Sequence, residues 1–315
     1  MDKIRLGIST CLLGKNVRYD GGHKLDRWLR DTLGAYIDYV PVCPEAEAGF
    51  GIPREAFRLV GDPSAPRLMT VKTKVDHTER METWARHRVK ELEKENLCGY
   101  VFKSDSPSSG MERVKVYDAN NVPRKAGAGI FARIFMEHFS LLPVEEEGRL
   151  HDPLLRETFI ERIFTFHRWK QAMAKGGKIS SLVDFHTRNK LLILCHSPKH
   201  HKEMGRLTAA AKGRPFGEVE EEYTRLLMEA LAVKATPARH VNTLQHIMGY
   251  FKKQLTPDEK EELLENIGRY RAGLVPLVVP VTLLNHYVRK YDEPYLKLQT
   301  YLNPHPVELK LRNHA

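Results

Sequence analysis

The sequence predicts two domains: an α/β N-terminal domain, Rossmann-like, with three layers and a mostly parallel sheet, followed by an all-α C-terminal domain. Three observations lead there. Apolar runs of strand length alternate with helical patterns through the first 143 residues, as in a parallel sheet covered on both faces. An acidic, turn-rich run, Pro143-Val144-Glu145-Glu146-Glu147-Gly148, then interrupts the pattern. Beyond it, segments of helix length follow one another with no strand pattern between them. A chain of 315 residues has room for two cores at about 100–200 residues per domain. The boundary is expected at the acidic run, giving domains 1–147 and 148–315.

The elements follow in order. Ile4-Arg5-Leu6-Gly7-Ile8-Ser9 reads as a strand running into the loop Thr10-Cys11-Leu12-Leu13-Gly14. Residues 26–33 are helical in pattern, and 36–42 form a second strand ending at Cys43-Pro44-Glu45. Residues 78–96 make a long amphipathic helix, with Asp76 and Thr78 as candidate caps and Met81, Trp84, Ala85, Val89 and Leu92 on one face. Gly99-Tyr100-Val101-Phe102-Lys103 is a third strand, 104–110 the loop after it, and 127–139 a further helix. In the second half, 153–175, 180–197, 218–232, 238–254, 257–272 and 281–291 read as helices. Ser180, Thr236 and Thr256 stand where N-caps belong, and Pro257 suits a first helical position.

Composition excludes several classes. No apolar run of about 18 residues exists to span a membrane, and Met1-Asp2-Lys3-Ile4-Arg5 lacks a signal-peptide core, so a cytoplasmic protein is expected. Four scattered cysteines, Cys11, Cys43, Cys98 and Cys195, are too few for a disulfide scaffold in a chain this long. The formal net charge is +10, and residues 151–315 hold most of it, with 26 Lys+Arg against 18 Asp+Glu. A basic half of this kind suits an anionic partner, nucleic acid foremost, although it is also compatible with a merely solvated surface.

The chemistry-bearing residues sit in three loops, each after a predicted strand. In parallel sheets the carboxyl ends of strands face a common crevice where ligands bind. The loops carry Cys11, then Cys43 with Glu45, then Ser106-Pro107-Ser108-Ser109-Gly110, so two thiols, a carboxylate and several hydroxyls should converge. Each has a plainer reading: buried thiols, a carboxylate at a helix start, turn-forming serines beside Pro107. No Cys-x-x-Cys is present, which disfavours a zinc ribbon. No Gly-x-Gly-x-x-Gly or P-loop appears either.

The first half resembles the thiouracil desulfidase (TudS) family through Ser9-Thr10-Cys11-Leu12-Leu13-Gly14 with Asn16-Val17-Arg18-Tyr19-Asp20-Gly21-Gly22, through Val42-Cys43-Pro44-Glu45, and through Ser106-Pro107-Ser108-Ser109-Gly110. The second half resembles the YbgA-type helical domain through Phe185-His186, Arg188-Asn189-Lys190, Leu244-Gln245-His246 with Gly249-Tyr250-Phe251, and Leu311-Arg312-Asn313. The fusion of the two is similar to the RudS tRNA 4-thiouridine desulfidases.

The resemblance implies a 4Fe–4S cluster with one open iron, held at Cys11, Cys43 and position 109. It implies desulfidation of 4-thiouridine in tRNA to uridine with release of sulfide. The open iron would polarise the thiocarbonyl, Glu45 would act as general base on water, and Ser106 would bind the substrate or relay a proton. Lys15, Asn16, Arg18, Tyr19 and Ser108 are candidates for the substrate pocket. Position 109 departs from the family's Ser-Pro-Ser-Cys-Gly. A serine oxygen is a hard, weakly acidic ligand where soft thiolates suit iron–sulfur clusters, so the chain reads as a Cys→Ser variant with a weakened or absent cluster. Cys98 is a poor substitute, lying about 17 Å from the loop end across five strand residues.

For the basic half, Lys170, Lys175, Lys178, Arg188, Lys190, Lys199, Lys202, Arg206, Lys212 and Arg214 are the candidate RNA contacts. The tRNA is the expected partner, and neither a protein partner nor a membrane is implied. His196, His200 and His201 lack a complementary Cys/His pair at zinc-like spacing, and His167, His186, His240 and His246 are expected in packed, hydrogen-bonded roles. Two other functions stay open: desulfidation of free thiouracil or a thionucleotide, and a non-catalytic nucleic-acid-binding protein with a degenerate first half.

Overall fold

The computed structural model describes residues 3–174 and 176–314. It divides into two compact units, Met1–Leu155 and Arg156–Ala315.

The first unit is built on a four-stranded sheet of β1 (Ile4–Ser9), β2 (Ile37–Val42), β5 (Tyr100–Phe102) and β8 (Val144–Glu146), in the order β2-β1-β5-β8 and parallel throughout. The intervening β3 (Phe57–Val60), β4 (Arg67–Thr70), β6 (Val114–Tyr117) and β7 (Pro123–Gly127) form a second sheet in the order β4-β3-β6-β7. Its outer pairs are antiparallel and its central pair parallel. The helices are the short α1 (Pro44–Glu47), α2 (Thr78–Glu93) and α3 (Ile130–His138).

The predicted face of α2 is the one that packs. Met81, Ala85, Val89 and Leu92 are buried, with Trp84 partly so. At the start of α2 the cap position is His77, while the Asp76 carboxylate accepts from the Thr78 amide at 2.9 Å. Tyr100 and Phe102 on β5 meet Phe131 and Phe135 on α3, with Tyr100 and Phe135 ring centroids 4.7 Å apart. Truncating any one of these fully buried rings is expected to cost about 3–5 kcal/mol.

Two expectations are corrected here. The acidic run at 143–148 is not only a connector: Val144–Glu146 is a strand paired parallel to β5. The carboxylates are accommodated because Arg149 donates to Glu145 at 2.6 Å and the Met111 amide donates to Glu146 at 2.7 Å. Residues 26–33 form a π-type turn (Trp28–Thr32) running into a 3-10 turn (Leu33–Ala35) rather than a regular helix.

In the second unit, α4 (Pro153–Ala174) enters from the boundary. It is followed by α5 (Ile179–His196), α6 (Pro198–Ala209), α7 (Phe216–Ala232), α8 (Pro237–Met248), α9 (Pro257–Arg271), α10 (Val278–Lys290) and the one-turn α11 (Pro294–Lys297). Thr236 and Thr256 cap as expected, Thr256 in a full capping box with Glu259. Ser180 does not cap, since Lys178 holds that position without a side-chain bond. Between the helices expected over 180–197 and 218–232 lies a further one, α6, started by Ser197 as cap and Pro198 in its first turn. The helix expected over 238–254 stops at Met248 and tightens into a 3-10 turn, Gly249–Phe251.

No helix among the described residues is long and apolar enough to cross a membrane. Of the histidines read as packed, His186 and His240 bond the buried Tyr223 and Tyr301 hydroxyls at 3.1 Å each, whereas His246 is exposed. His196 is fully buried between the Val233 carbonyl and Glu161.

Candidate active site

The loops following β1, β2 and β5 open into one cavity of about 510 Å³. Cys11, Cys43, Glu45, Ser106 and Ser109 line it together with Arg18, Tyr19, Arg54 and Lys103. Parallel pairing makes this possible, because it brings the carboxyl ends of three strands to the same edge.

After β1 the chain makes a single 3-10 turn, Thr10–Leu13, ended by Gly14 at φ 86. The Cys11 carbonyl accepts from the Gly14 and Lys24 amides at 3.2 and 3.0 Å, which fixes the residue at the cavity floor. After β2, Cys43 leads into α1, and its amide donates to the Glu47 carboxylate at 2.8 Å. Glu47 therefore does the capping, and Glu45, the other acid in that turn, is released for the cavity.

Glu45 Oε1 accepts from the Ser108 hydroxyl. Its Oε2 lies 3.7 Å from Cys43 Sγ and 3.6 Å from Arg54 Nη2. Arg54 is itself held by the carbonyls of Val17 and Gly51 at 3.1 and 3.0 Å. Ser106 Oγ is 3.1 Å from Ser108 Oγ and accepts the Ser109 amide at 3.1 Å. A hydrogen-bonded line thus runs from Ser106 at the cavity wall through the buried Ser108 to Glu45.

The third loop is pinned by the start of α3. Gly129 and Ile130 donate their amides to the Gly110 and Pro107 carbonyls at 2.8 and 3.1 Å, using groups that a helix start leaves unpaired. A Cβ at Gly129 would stand 2.4 Å from the Ser108 carbonyl carbon, so glycine is needed for this close approach.

Burial pushes the Cys11 thiol up to about 11, opposed in part by the nearby Lys103 ammonium. Burial likewise pushes Cys43 up to about 12, and the Glu45 carboxylate adds to it. Both side chains are therefore thiols at neutral pH, and they become strong ligands only when a Lewis acid competes for the proton. Lys103 Nζ donates to the Ser104 carbonyl at 3.0 Å and pairs with Glu147, which orients its charge at the rim.

The other expected site residues lie as follows. Lys15 and Asn16 are exposed and do not line the cavity, and Ser108 sits behind Glu45 rather than at the surface of the void. Cys98 is buried, with its amide on the Arg5 carbonyl at 2.8 Å. Arg54, Lys103 and Glu47 were not legible in the sequence. The Pro44–Glu47 turn, with acids at both Glu45 and Glu47, held the one signal that a helix start would occupy one of them.

In the second unit, Lys199, Lys202, Arg206, Lys212 and Arg214 are exposed on α6 and the turn after it, and Lys178 is exposed at the start of α5. Arg188, Lys199 and Arg214 pair with Asp184, Glu203 and Glu222. Lys170 lies over Phe166, and Lys190 over Tyr295. Lys175 falls outside the described residues.

Comparison with known proteins agrees with this two-part reading. Residues 6–147 match the family model of 2-thiouracil desulfurase, and residues 190–306 match that of a protein of unknown function, DUF1722. The chain is 29% identical over 153 residues to the uncharacterized protein YbgA of Escherichia coli K12, covering 48% of this chain and 90% of that protein. It is also similar to the solved structure of the [4Fe-4S]-dependent thiouracil desulfidase TudS, at 28% identity over 48% of this chain and 95% of that one, with a TM-score of 0.39. The protein therefore carries an enzyme domain of the 2-thiouracil desulfurase family followed by a DUF1722 domain of the YbgA type.

Proposed function

We propose that this protein is a cytoplasmic tRNA 4-thiouridine desulfidase that works with a 4Fe–4S cluster. The observation that carries the reading is the convergence of Cys11, Cys43, Glu45, Ser106 and Ser109 on one cavity at the ends of parallel strands. The donor set fits such a cluster at two points. Cys11 and Cys43 offer soft sulfur from adjacent strands, while Ser109 offers a hard oxygen at the third corner. Cys11, Cys43 and Ser109 would hold the cluster, more weakly than three thiolates. When bound, it supplies a Lewis-acidic iron for the thiocarbonyl sulfur.

The chain's own groups supply the rest. Desulfidation replaces C=S by C=O at the cost of one water, whose oxygen ends on the ring carbon and whose protons leave with the sulfide. Glu45, at the cavity wall, takes the proton from the attacking water. Arg54, 3.6 Å away, keeps its carboxylate charge balanced. The Ser106–Ser108 line connects Glu45 to the substrate side, so a proton accepted at the carboxylate has a path back toward the departing sulfur. Arg18 and Tyr19 at the rim suit a nucleotide's phosphate and base, with Arg18 placed 5.4 Å from the Tyr19 ring.

A base inside folded tRNA has to be exposed before it reaches such a cavity, as for other base-modifying enzymes. The excess charge of the second unit supports phosphate binding. The test is anaerobic reconstitution of this chain and of its Ser109→Cys version, followed by incubation with 4-thiouridine-containing tRNA and with free thiouracil. Higher iron content and faster loss of thiouridine absorbance in the cysteine version are expected. Equal iron loading in both sinks the assignment of position 109 as a ligand. Conversion of free thiouracil but not of tRNA shifts the substrate to the free base.

A further inference from the structure

Outside the cavity, one cluster in the second unit brings together side chains from α5, α6, the end of α8 and α11. His186 and His201 stack with centroids 6.5 Å apart. Lys190 Nζ lies 4.8 Å from the centre of the Tyr295 ring, and Tyr295 stacks on Tyr250 at 5.1 Å and 21°. His246 and Lys190 are both near enough to His201 to act on its charge. Tyr250 is 41% exposed and His246 is exposed, so the cluster faces solvent.

What separates it from an ordinary basic surface is a lysine set on a pair of stacked rings, one of them open to solvent. Arg188, Lys199 and Arg214 are each taken by a carboxylate. Lys190 forms no ion pair among the described residues and rests on an aromatic ring instead. The acid beside the cluster, Glu293, accepts the Tyr295 amide at the start of α11. A lysine with an uncommitted charge, imidazole N–H donors and a partly exposed ring stacked on a second ring are the parts needed for a phosphate and a base together.

We propose that this patch is a nucleotide-binding subsite in which Lys190, His201 and His246 receive one phosphate and Tyr250 carries the adjacent base. The inference rests on the RNA reading of the second unit and gives that reading a place on the surface. Burial holds His201 below the ordinary imidazole range, helped by Lys190 and His246. The histidine therefore contributes a neutral donor and Lys190 the charge, which limits the ionic part of the contact to about one phosphate.

The same chemistry is offered by an RNA strand and by a free nucleotide, so the test has two arms. The full chain, Tyr250→Ala, Tyr250→Phe, Lys190→Met and the control Lys253→Met are titrated with end-labelled tRNA at several salt concentrations. The same proteins are titrated with uridine monophosphate and with inorganic phosphate by calorimetry. Tyr250→Ala and Lys190→Met are each expected to weaken tRNA binding about tenfold, with Lys190→Met also lowering the salt slope by about one. Tyr250→Phe, which keeps the ring, and Lys253→Met should bind as the parent does. Losses confined to tRNA identify an RNA strand as the occupant, and parallel losses for the mononucleotide identify a free nucleotide. Unchanged binding of every probe by Lys190→Met and Tyr250→Ala overturns the subsite, and so does a parent chain that binds none of them. Sulfide release from free 2-thiouracil by the unsubstituted chain reports the desulfidase reading separately.

Discussion

Both units of this protein bury ionisable groups, and they do so in opposite ways. In the first unit Cys11, Cys43 and Glu45 surround a void. In the second, Glu157, Glu161, His196 and Arg312 surround one another. Arg312 is 6% exposed and sends Nη2 to Glu161 at 2.7 Å, Nη1 to the Tyr301 carbonyl at 2.6 Å, and Nε within 3.3 Å of Glu157. His196 closes the other side of Glu161 at 3.0 Å. Burial disfavours the Glu161 charge, yet Arg312 and His196 outweigh it and hold that carboxyl well below the usual range. Burial and the Glu161 charge push Glu157 up. The difference teaches how to sort buried charge: groups that face a cavity keep valences for a ligand, while groups that satisfy each other serve the architecture.

The comparison can be broken most sharply at Glu45. Glu45→Gln should lower desulfidation by about 10²–10⁴-fold, the usual worth of a general base, with the melting temperature little changed. A rate near the parent's would remove Glu45 from the chemistry. At Arg312 the expectation inverts. Arg312→Met leaves two buried carboxyls without their guanidinium and should cost about 3–5 kcal/mol of stability, read by urea denaturation. A loss below about 1 kcal/mol would show that the cluster is not structural.

Acidification offers a third handle. Burial lowers His186 to about 4 and His240 to about 3, so both stay neutral in the folded state while the unfolded chain titrates near its ordinary value of 6.5. The unfolded chain then binds more protons. The contribution of these two rings is complete above about pH 6.5 and falls as pH drops toward 4, by up to roughly 1.4 kcal/mol per pH unit for each histidine. Melting curves across that window should show the second unit weakening, and a flat profile would contradict the neutral burial of these rings. The smallest effect is expected at Thr256, where Thr256→Ala removes the side-chain half of a capping box on an exposed helix start. A loss of about 1 kcal/mol with no change in sulfide release fits the comparison.

The parts legible in the sequence were those with local signals. Period and caps located most helices, and the three strand-to-loop transitions located the cavity. The second sheet was missed because its strands are only four or five residues long. Those of β7, Pro123-Arg124-Lys125-Ala126-Gly127, are mostly exposed and carry no apolar alternation. The α6 helix has a helix-start signature in Ser197-Pro198 but only a faint apolar period, since Met204 and Leu207 are its buried residues. Arg54 and Lys103 reach the cavity through tertiary contacts with Val17 and Glu147, and no spacing rule announces such long-range pairs.

The position of Arg312 along the chain also sets an order of events at the ribosome. It reaches Glu161 from 151 residues downstream. At about 5–20 residues per second, those carboxylates emerge roughly eight to thirty seconds before the guanidinium that neutralises them. Through that interval the helices of the second unit lack the cation that pairs with Glu157 and Glu161, whereas every strand of the first unit's sheets has already been made.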